Sequence, residues 1–155
     1  MVIMAVDFGQ VRTGLAVCDE SEILASPLAV VAGDGRMLVQ KIVRYVAERR
    51  AEMIVVGLPV NMDGTHGKSA KQSEALAEKL RRETGLPVIL RDERLTTVSA
   101  HKALNETNTR GQKRKAVIDA VAAVLILEDY LRFRRNKVAD ESLFDRKKGF
   151  YRDKS

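Results

Sequence analysis

Three acidic residues of this chain, Asp7, Glu93 and Asp119, stand at the ends of apolar segments or inside one. Asp7 follows the unbroken apolar run Val2–Val6, and Asp119 interrupts the apolar stretch Ala116–Leu127. Carboxylates a few ångströms apart repel each other, so a cluster of them persists only if it shares protons or binds cations. Oxygen ligands without a thiolate favour Mg²⁺ or Mn²⁺. If the three acids converge, they predict a divalent-metal site.

Each acid also has a basic residue nearby in sequence with which it could form an ordinary ion pair. These partners are Arg12 for Asp7, Arg91 or Arg94 for Glu93, and Lys115 for Asp119. Asp119 is the hardest to explain in this way, because Lys115 is its only local partner within an otherwise apolar segment. A buried charge is costly without a positive partner. The residues alone therefore leave the metal site and the structural ion pairs both open.

The elements that position these acids are predicted from hydrophobic patterning. Short apolar runs bounded by turn residues indicate strands, and they lie at Val2–Val6, Gly14–Cys18, Ala25–Val31, Met53–Val56 and Leu86–Leu90. The first three are joined by short turns and are expected to be antiparallel, with the third at a sheet edge because it contains Pro27. The last two follow helical segments and are expected to run parallel to the first.

Helical spacing of apolar residues predicts four helices, which are Leu38–Arg50, Ser69–Thr84, Thr97–Leu104 and Ala116–Phe133. The chain is thus expected to be an α/β domain with a mixed five-stranded sheet and helices on both faces. Ligand sites in such sheets lie beyond the carboxyl ends of the parallel strands. Asp7 and Glu93 follow two of those ends, and Asp119 lies on a helix that must pack against the same sheet.

A basic patch precedes the helix that carries Asp119. It lies in the polar loop Asn105–Lys115 and consists of Arg110, Lys113, Arg114 and Lys115. These side chains are predicted to hold a nucleic-acid backbone beside the acids. Thr13 is a further candidate phosphate contact, although threonines in turns commonly bond to backbone groups instead.

Length and composition indicate an ordinary globular protein. The chain has 155 residues, of which 45% are hydrophobic and 31% charged, and a net charge of +6 that makes a polyanionic partner plausible. We expect a domain at residues 1–135 and a charged, loosely ordered tail at 136–155. The sequence shows no signal peptide or membrane span, so a cytoplasmic protein without a membrane partner is expected. Its one cysteine, Cys18, is expected to be a buried apolar residue.

Four motifs together carry a resemblance to a known family: DFGQVRTG at 7–14, VVGLPVNMDG at 55–64, RDERLTT at 91–97 and IDAVAAVLILEDYL at 118–131. Over Met1–Phe133 the chain resembles the YqgF/RuvX family, which has a ribonuclease H-like fold. The resemblance implies a nuclease whose acidic site is formed by Asp7, Glu93 and Asp119. It implies phosphodiester hydrolysis with Mg²⁺ or Mn²⁺, two ions in the expected arrangement. Phosphate contacts are then assigned to Arg12, Thr13 and Arg94.

The resemblance leaves the substrate open between two kinds of nucleic acid. One is pre-16S rRNA, processed at its 5′ end during ribosome biogenesis, which would make ribosomal precursor particles partners. The other is branched DNA, cleaved by a Holliday junction resolvase. A nucleic-acid-binding protein without catalysis is the alternative from another class, and a kinase of the actin and sugar-kinase type is opposed by the chain's length. The chain is expected to act as a monomer or homodimer.

Overall fold

A computed structural model describes residues 1–94 and 120–139 of the chain. Its elements are β1 (Ile3–Asp7), β2 (Arg12–Cys18), β3 (Ala25–Ala32), α1 (Gly35–Arg49), β4 (Met53–Leu58), α2 (Lys68–Thr84), β5 (Val88–Asp92) and a helix, α3, at residues 120–139. The predicted helix Thr97–Leu104 and the basic loop Asn105–Lys115 lie outside the described residues. No helix in the described ranges has the length and apolar character needed to cross a membrane.

The five strands form one mixed sheet in the order β3-β2-β1-β4-β5. β1 pairs antiparallel with β2, which pairs antiparallel with β3, whereas β4 runs parallel to β1 and β5 parallel to β4. The turns before β2 and β3 are too short for anything but antiparallel pairing, while α1 and α2 supply the crossovers that parallel strands need. The predicted sheet is confirmed, with β1 at its centre and the strand containing Pro27 at one edge.

The two faces of the sheet bury different sets of side chains, because successive residues of a strand point to opposite faces. On one face, Met4 and Val6 of β1 pack in a core with residues of α1 and α2. On the other, Ile3 and Ala5 pack in a second core with residues of α3. Asp7 continues the series of Ile3 and Ala5, so its side chain belongs to the face covered by α3. The predicted placement of helices on both faces is confirmed.

Helix α3 packs on the sheet through an apolar stripe made of Ala122, Ala123, Ile126, Leu127, Tyr130 and Leu131, all of them buried. Polar contacts complete its attachment. Arg91 at the end of β5 donates a hydrogen bond to Asp129 (2.7 Å) and lies 4.6 Å from the centre of the Phe133 ring. Cation–π contact and ion pair therefore anchor the helix to an edge strand.

The end of α3 differs from the prediction. The helix was expected to end at Phe133, but it continues to residue 139. Arg134 forms an ion pair with Glu22 from the turn between β2 and β3, which holds the next turn of helix against the sheet. The expected boundary between a domain at 1–135 and a tail at 136–155 consequently falls inside this helix. Residues 140–155 lie outside the described ranges, so a loosely ordered tail stays a prediction.

Cys18 is a buried core residue, as predicted. Its side chain is 5% exposed and packs in the core beneath α3. The Ile3 backbone N–H donates to its sulfur at 3.2 Å. Burial raises the pKa of the Cys18 thiol, which keeps it in the unreactive protonated form.

The turn between β1 and β2 requires glycine at position 9. A β-carbon there would overlap the backbone carbonyl oxygen of Arg12, which has no flexible side chain to move aside. Gly9→Ala should therefore force a backbone shift and lower the free energy of unfolding by about 2 kcal/mol, as other overpacked sites do. Urea denaturation measures this loss. Gln10→Ala, at an exposed position of the same turn, should change stability by less than about 0.5 kcal/mol, and equal stability of both variants would contradict this account of the turn.

Candidate active site

Asp7 ends the central strand between two glycines of the neighbouring strands. Its direct partner in β2 is Gly14. In β4, Val56 is the partner of Val6, so Gly57 lies beside Asp7 at the spacing of adjacent strands, about 4.8 Å. Neither neighbour has a side chain, which leaves space next to the Asp7 carboxylate. Asp7 is only 4% exposed.

Glu93 occupies the space above Gly57. It directly follows β5, and its backbone N–H donates to the carbonyl oxygen of Leu58 at 3.1 Å. A β-carbon on Gly57 would overlap its carboxylate oxygen Oε1 and would lie 2.6 Å from Cδ1 of Ile126 in α3. Because Gly57 is also the neighbour of Asp7, the two carboxylates lie on the same face of the sheet. Glu93 is 4% exposed, like Asp7.

The arginines considered as surface partners for Glu93 are engaged with other acids. Arg91 pairs with Asp129 of α3. Arg94 binds Asp92 through two nitrogens, with Nη2 at 2.8 Å and Nε at 3.0 Å from Oδ2. This hydrogen bonding lowers the pKa of the Asp92 carboxyl. Both arginines thus form ion pairs with other acids, Asp129 and Asp92.

The described part of the site suits a hard divalent cation by the chemistry of its donors. Two buried carboxylates lie on the same face of the sheet beside Gly57, where a β-carbon would overlap that of Glu93. Oxygen donors of this kind are the ligands that Mg²⁺ and Mn²⁺ prefer. Within residues 1–94 and 120–139, no three His, Cys, Asp or Glu side chains come together as a metal-binding group. Asp119, the third predicted ligand, lies outside those ranges.

The predicted phosphate contacts differ in their placement. Arg12 begins β2 and is partly exposed, and Arg94 is partly exposed beside Glu93. Thr13 is completely buried, and its strand partner Val31 belongs to the core under α1 and α2. A phosphate in solvent cannot reach Thr13, so the structure does not support its assignment as a phosphate contact. The four basic residues Arg110, Lys113, Arg114 and Lys115 lie outside the described residues.

Gly57 is the site residue that reasoning from the sequence missed. It was interpreted only as part of the turn that ends a strand, whereas it lies within β4 and provides the space for Glu93. The signal was present in the sequence, since a glycine at the carboxyl end of an apolar strand often marks a close approach of another group. The identity of that group, Glu93, depended on the register between β4 and β5.

Comparison with known proteins gives the family. The chain matches the RuvX family, described as a Holliday junction resolvase family, over residues 1–133. The chain belongs to the RuvX family. A relative from Lachnospira eligens is 42% identical over 84% of this chain and 96% of its own length, and one from Chloroflexus aurantiacus is 40% identical over 87% and 89%. Both carry the name "Putative pre-16S rRNA nuclease". This member of the RuvX family is accordingly a nuclease, a hydrolase acting on phosphodiester bonds.

Solved structures confirm the architecture. RuvC from Thermus thermophilus, in complex with a Holliday junction substrate, superposes with a TM-score of 0.56 at 15% identity, over 87% of this chain and 96% of RuvC. A second Thermus thermophilus RuvC structure gives a TM-score of 0.54 at 16% identity, over 88% and 97% of the two chains. At such low identity the likeness shows the fold alone. It is the ribonuclease H-like fold that the resemblance implied.

Replacing Gly57 tests whether its missing side chain positions Glu93. Gly57→Ala places a methyl group against both the Glu93 carboxylate and Cδ1 of Ile126. The variant should lose about 1–3 kcal/mol of stability and most of its nuclease activity. Adding Ile126→Val removes the Cδ1 atom and should recover part of the stability, measured by urea denaturation, while cleavage stays low. Recovery of cleavage together with stability would mean that Gly57 matters only for packing against α3.

The buried hydroxyl of Thr13 has no hydrogen-bond partner in the structure. A buried group left unpaired in this way costs roughly 1–3 kcal/mol. Thr13→Val keeps the shape of the side chain and removes the hydroxyl, so it should raise the free energy of unfolding by about 1 kcal/mol and leave nucleic-acid affinity unchanged. Thr65→Val serves as the control of opposite sign, because the Thr65 hydroxyl is hydrogen-bonded to Asp63 (2.6 Å). A loss of affinity in Thr13→Val would restore Thr13 as a phosphate contact.

Proposed function

We propose that this RuvX nuclease uses Asp7, Glu93 and Asp119 to hydrolyse phosphodiester bonds with Mg²⁺ or Mn²⁺, and that its substrate is the 5′ region of pre-16S rRNA. The observation that carries the proposal is the pair of buried carboxylates, Asp7 and Glu93, on one face of the sheet at Gly57. Together they supply oxygen donors of the kind that Mg²⁺ and Mn²⁺ prefer. A divalent cation held by both would also serve the reaction.

The metal and the protein have separate tasks in this reaction. Divalent ions bound here would supply the activation of water and the stabilisation of charge on the phosphate oxygens. Asp7 and Glu93 would hold them on rigid elements, the end of a central strand and the residue after an edge strand, and the low exposure of both side chains limits competing water. Arg12 and Arg94 are assigned to orient the phosphate. Two hydrogen bonds to Asp92 fix the Arg94 guanidinium, so that this group is already ordered before substrate binds.

The RNA substrate is favoured by the relatives, which share about 40% of their sequence with this chain and are named for pre-16S rRNA. Ribosomal precursor particles are then the setting in which the enzyme works. The second candidate is a DNA four-way junction, favoured by the description of the RuvX family and by the fold of RuvC. A net charge of +6 serves either polyanion. The basic residues Arg110, Lys113, Arg114 and Lys115 are proposed to bind the backbone of the substrate.

Neutralising Asp7 tests the proposed site. Asp7→Asn should still bind a precursor rRNA fragment but cut it at least about 100-fold more slowly than the parent, because a metal ligand is lost. Mg²⁺ should raise the melting temperature of the parent more than that of the variant, since only the native state binds the ion. Glu20→Gln neutralises an exposed acid in the turn after β2 and should cut normally. The same assay with a four-way junction at matched salt separates the two candidate substrates.

Asp119→Asn distinguishes metal ligand from structural ion pair at the third acid. In chelator, relief of repulsion among the carboxylates should leave this variant at least as stable as the parent. A buried ion pair instead predicts a loss of about 3–5 kcal/mol with or without metal. Melting curves in chelator and in millimolar-range Mg²⁺ decide between them. A large loss in both buffers would remove Asp119 from the metal site and leave Asp7 and Glu93 as the proposed ligands.

A further inference from the structure

Met62 is the most exposed large hydrophobic residue in the described part of the chain. Its side chain is 84% exposed, in the loop between β4 and α2. Single exposed apolar residues are common on protein surfaces and need no explanation by themselves. Met62 differs because its loop is tightly ordered by hydrogen bonds. The loop also follows the carboxyl end of β4, at the same edge of the sheet where the parallel strand β1 ends in Asp7.

The loop from Asn61 to Thr65 is closed by its own hydrogen bonds. The Asn61 backbone N–H donates to the carbonyl oxygen of Thr65 at 2.9 Å, and the Gly64 N–H donates to that of Asn61 at 2.8 Å. Asp63 accepts hydrogen bonds from the Thr65 N–H (2.9 Å) and hydroxyl (2.6 Å), which lower the pKa of the Asp63 carboxyl. Met62 is thereby held at the second position of a tight turn, with its side chain directed into solvent.

The same loop is hydrogen-bonded to Arg94, one of the proposed phosphate contacts. Nη1 of Arg94 donates to the carbonyl oxygen of Asn61 at 3.5 Å, and Arg94 directly follows Glu93. On the opposite flank, Val11 in the turn after β1 is 73% exposed. Sheet order places the turn with Val11 on the β1–β2 side of the carboxylates and the loop with Met62 on the β4–β5 side. Two exposed apolar side chains therefore border the edge at which phosphate is proposed to bind.

A nucleic acid offers such side chains one kind of partner. Its phosphates and sugars are polar, and paired bases inside a helix are covered by their stacked neighbours. A base face becomes available only where a nucleotide is unpaired or a step is unstacked, and methionine is one of the apolar residues that proteins insert at such steps. Contact of a side chain with an exposed base face is tolerant of sequence, because every base has such a face.

We propose that Met62 contacts the face of an unpaired or unstacked base next to the phosphate that Arg12 and Arg94 are assigned to orient. The enzyme then selects substrates that carry such a nucleotide, a bulge, a junction or a single-stranded end, over continuous duplex. This inference rests on the proposed function and extends it from a reaction to a choice of substrate.

The test uses an RNA hairpin with one unpaired 2-aminopurine and the same hairpin with that base paired, in chelator so that the RNA stays intact. The parent should bind the bulged hairpin roughly 10-fold more tightly than the paired one, in line with the stacking of one base. Its binding should also change the fluorescence of the unpaired 2-aminopurine. Met62→Ala and Met62→Gln should lose the preference and the fluorescence change, whereas Met62→Leu should keep both. Met37→Ala, which removes a 61% exposed methionine from α1, should behave like the parent.

The results separate this inference from the proposed function. Equal binding of the two hairpins by the parent, or an unchanged preference in Met62→Ala, would overturn the base contact even if the enzyme cleaves rRNA. If Met62→Ala and Met62→Gln lose the preference for the bulged hairpin while Met62→Leu and Met37→Ala keep it, the base contact is supported. This holds even if the parent shows no cleavage in Mg²⁺ or Mn²⁺. Because Met62 is exposed, its replacement should leave the melting temperature unchanged, so that a loss of binding is not a loss of folding.

Discussion

The burial of the Asp7 carboxylate at the end of the central strand is the constraint on which the rest of this structure depends. A charge in that position is expensive unless its surroundings compensate it. Glycines on both neighbouring strands keep the space beside it free of side chains, and one of them, Gly57, makes room for Glu93. A second carboxylate, that of Glu93, is buried on the same face of the sheet and increases the cost further.

The two faces of the sheet differ in what they bury: one carries only an apolar core, and the other also carries the acids of the site. The face under α1 and α2 buries a continuous apolar core and carries no acid of the site. The face under α3 is also apolar through Ile3 and Ala5 but ends in Asp7. Close packing of α3, with Ala122 and Ala123 against the sheet, brings Ile126 to the edge of the site. Cδ1 of Ile126 and the Glu93 carboxylate both lie over Gly57, so a change in the position of α3 would alter the surroundings of that carboxylate.

Rigid elements carry the carboxylates, while loops at the same edge carry the groups assigned to the substrate. Asp7 and Glu93 are held by strand pairing and by the hydrogen bond from the Glu93 N–H to Leu58. Arg12 and Met62 lie in or beside turns that project from this edge. Such a division is common in enzymes, since a fixed site needs precise ligands and variable loops adapt to different partners.

Much of this protein followed from the sequence by itself. Apolar runs, turn residues and Pro27 predicted the strands, their directions and the edge position of β3, and the placement of Asp7 and Glu93 followed from where those runs end. Local patterns suffice for these features because strand and turn preferences act over a few residues. The predicted helix after Thr97, the basic loop and Asp119 lie outside the described residues and stay predictions.

Tertiary structure alone decided which side chains meet. Thr13 belongs to the face away from Asp7, which depended on the register of β2 and could not be read from its position next to Arg12. Arg91 pairs with Asp129, 38 positions further along the chain, in preference to its neighbour Glu93. Gly57 acquires its role only when β4 aligns with β1 and β5 ends above it. The physical reason is the same in each case: a one-residue change of register moves a side chain to the other face of a sheet, and register is set by pairing between distant segments.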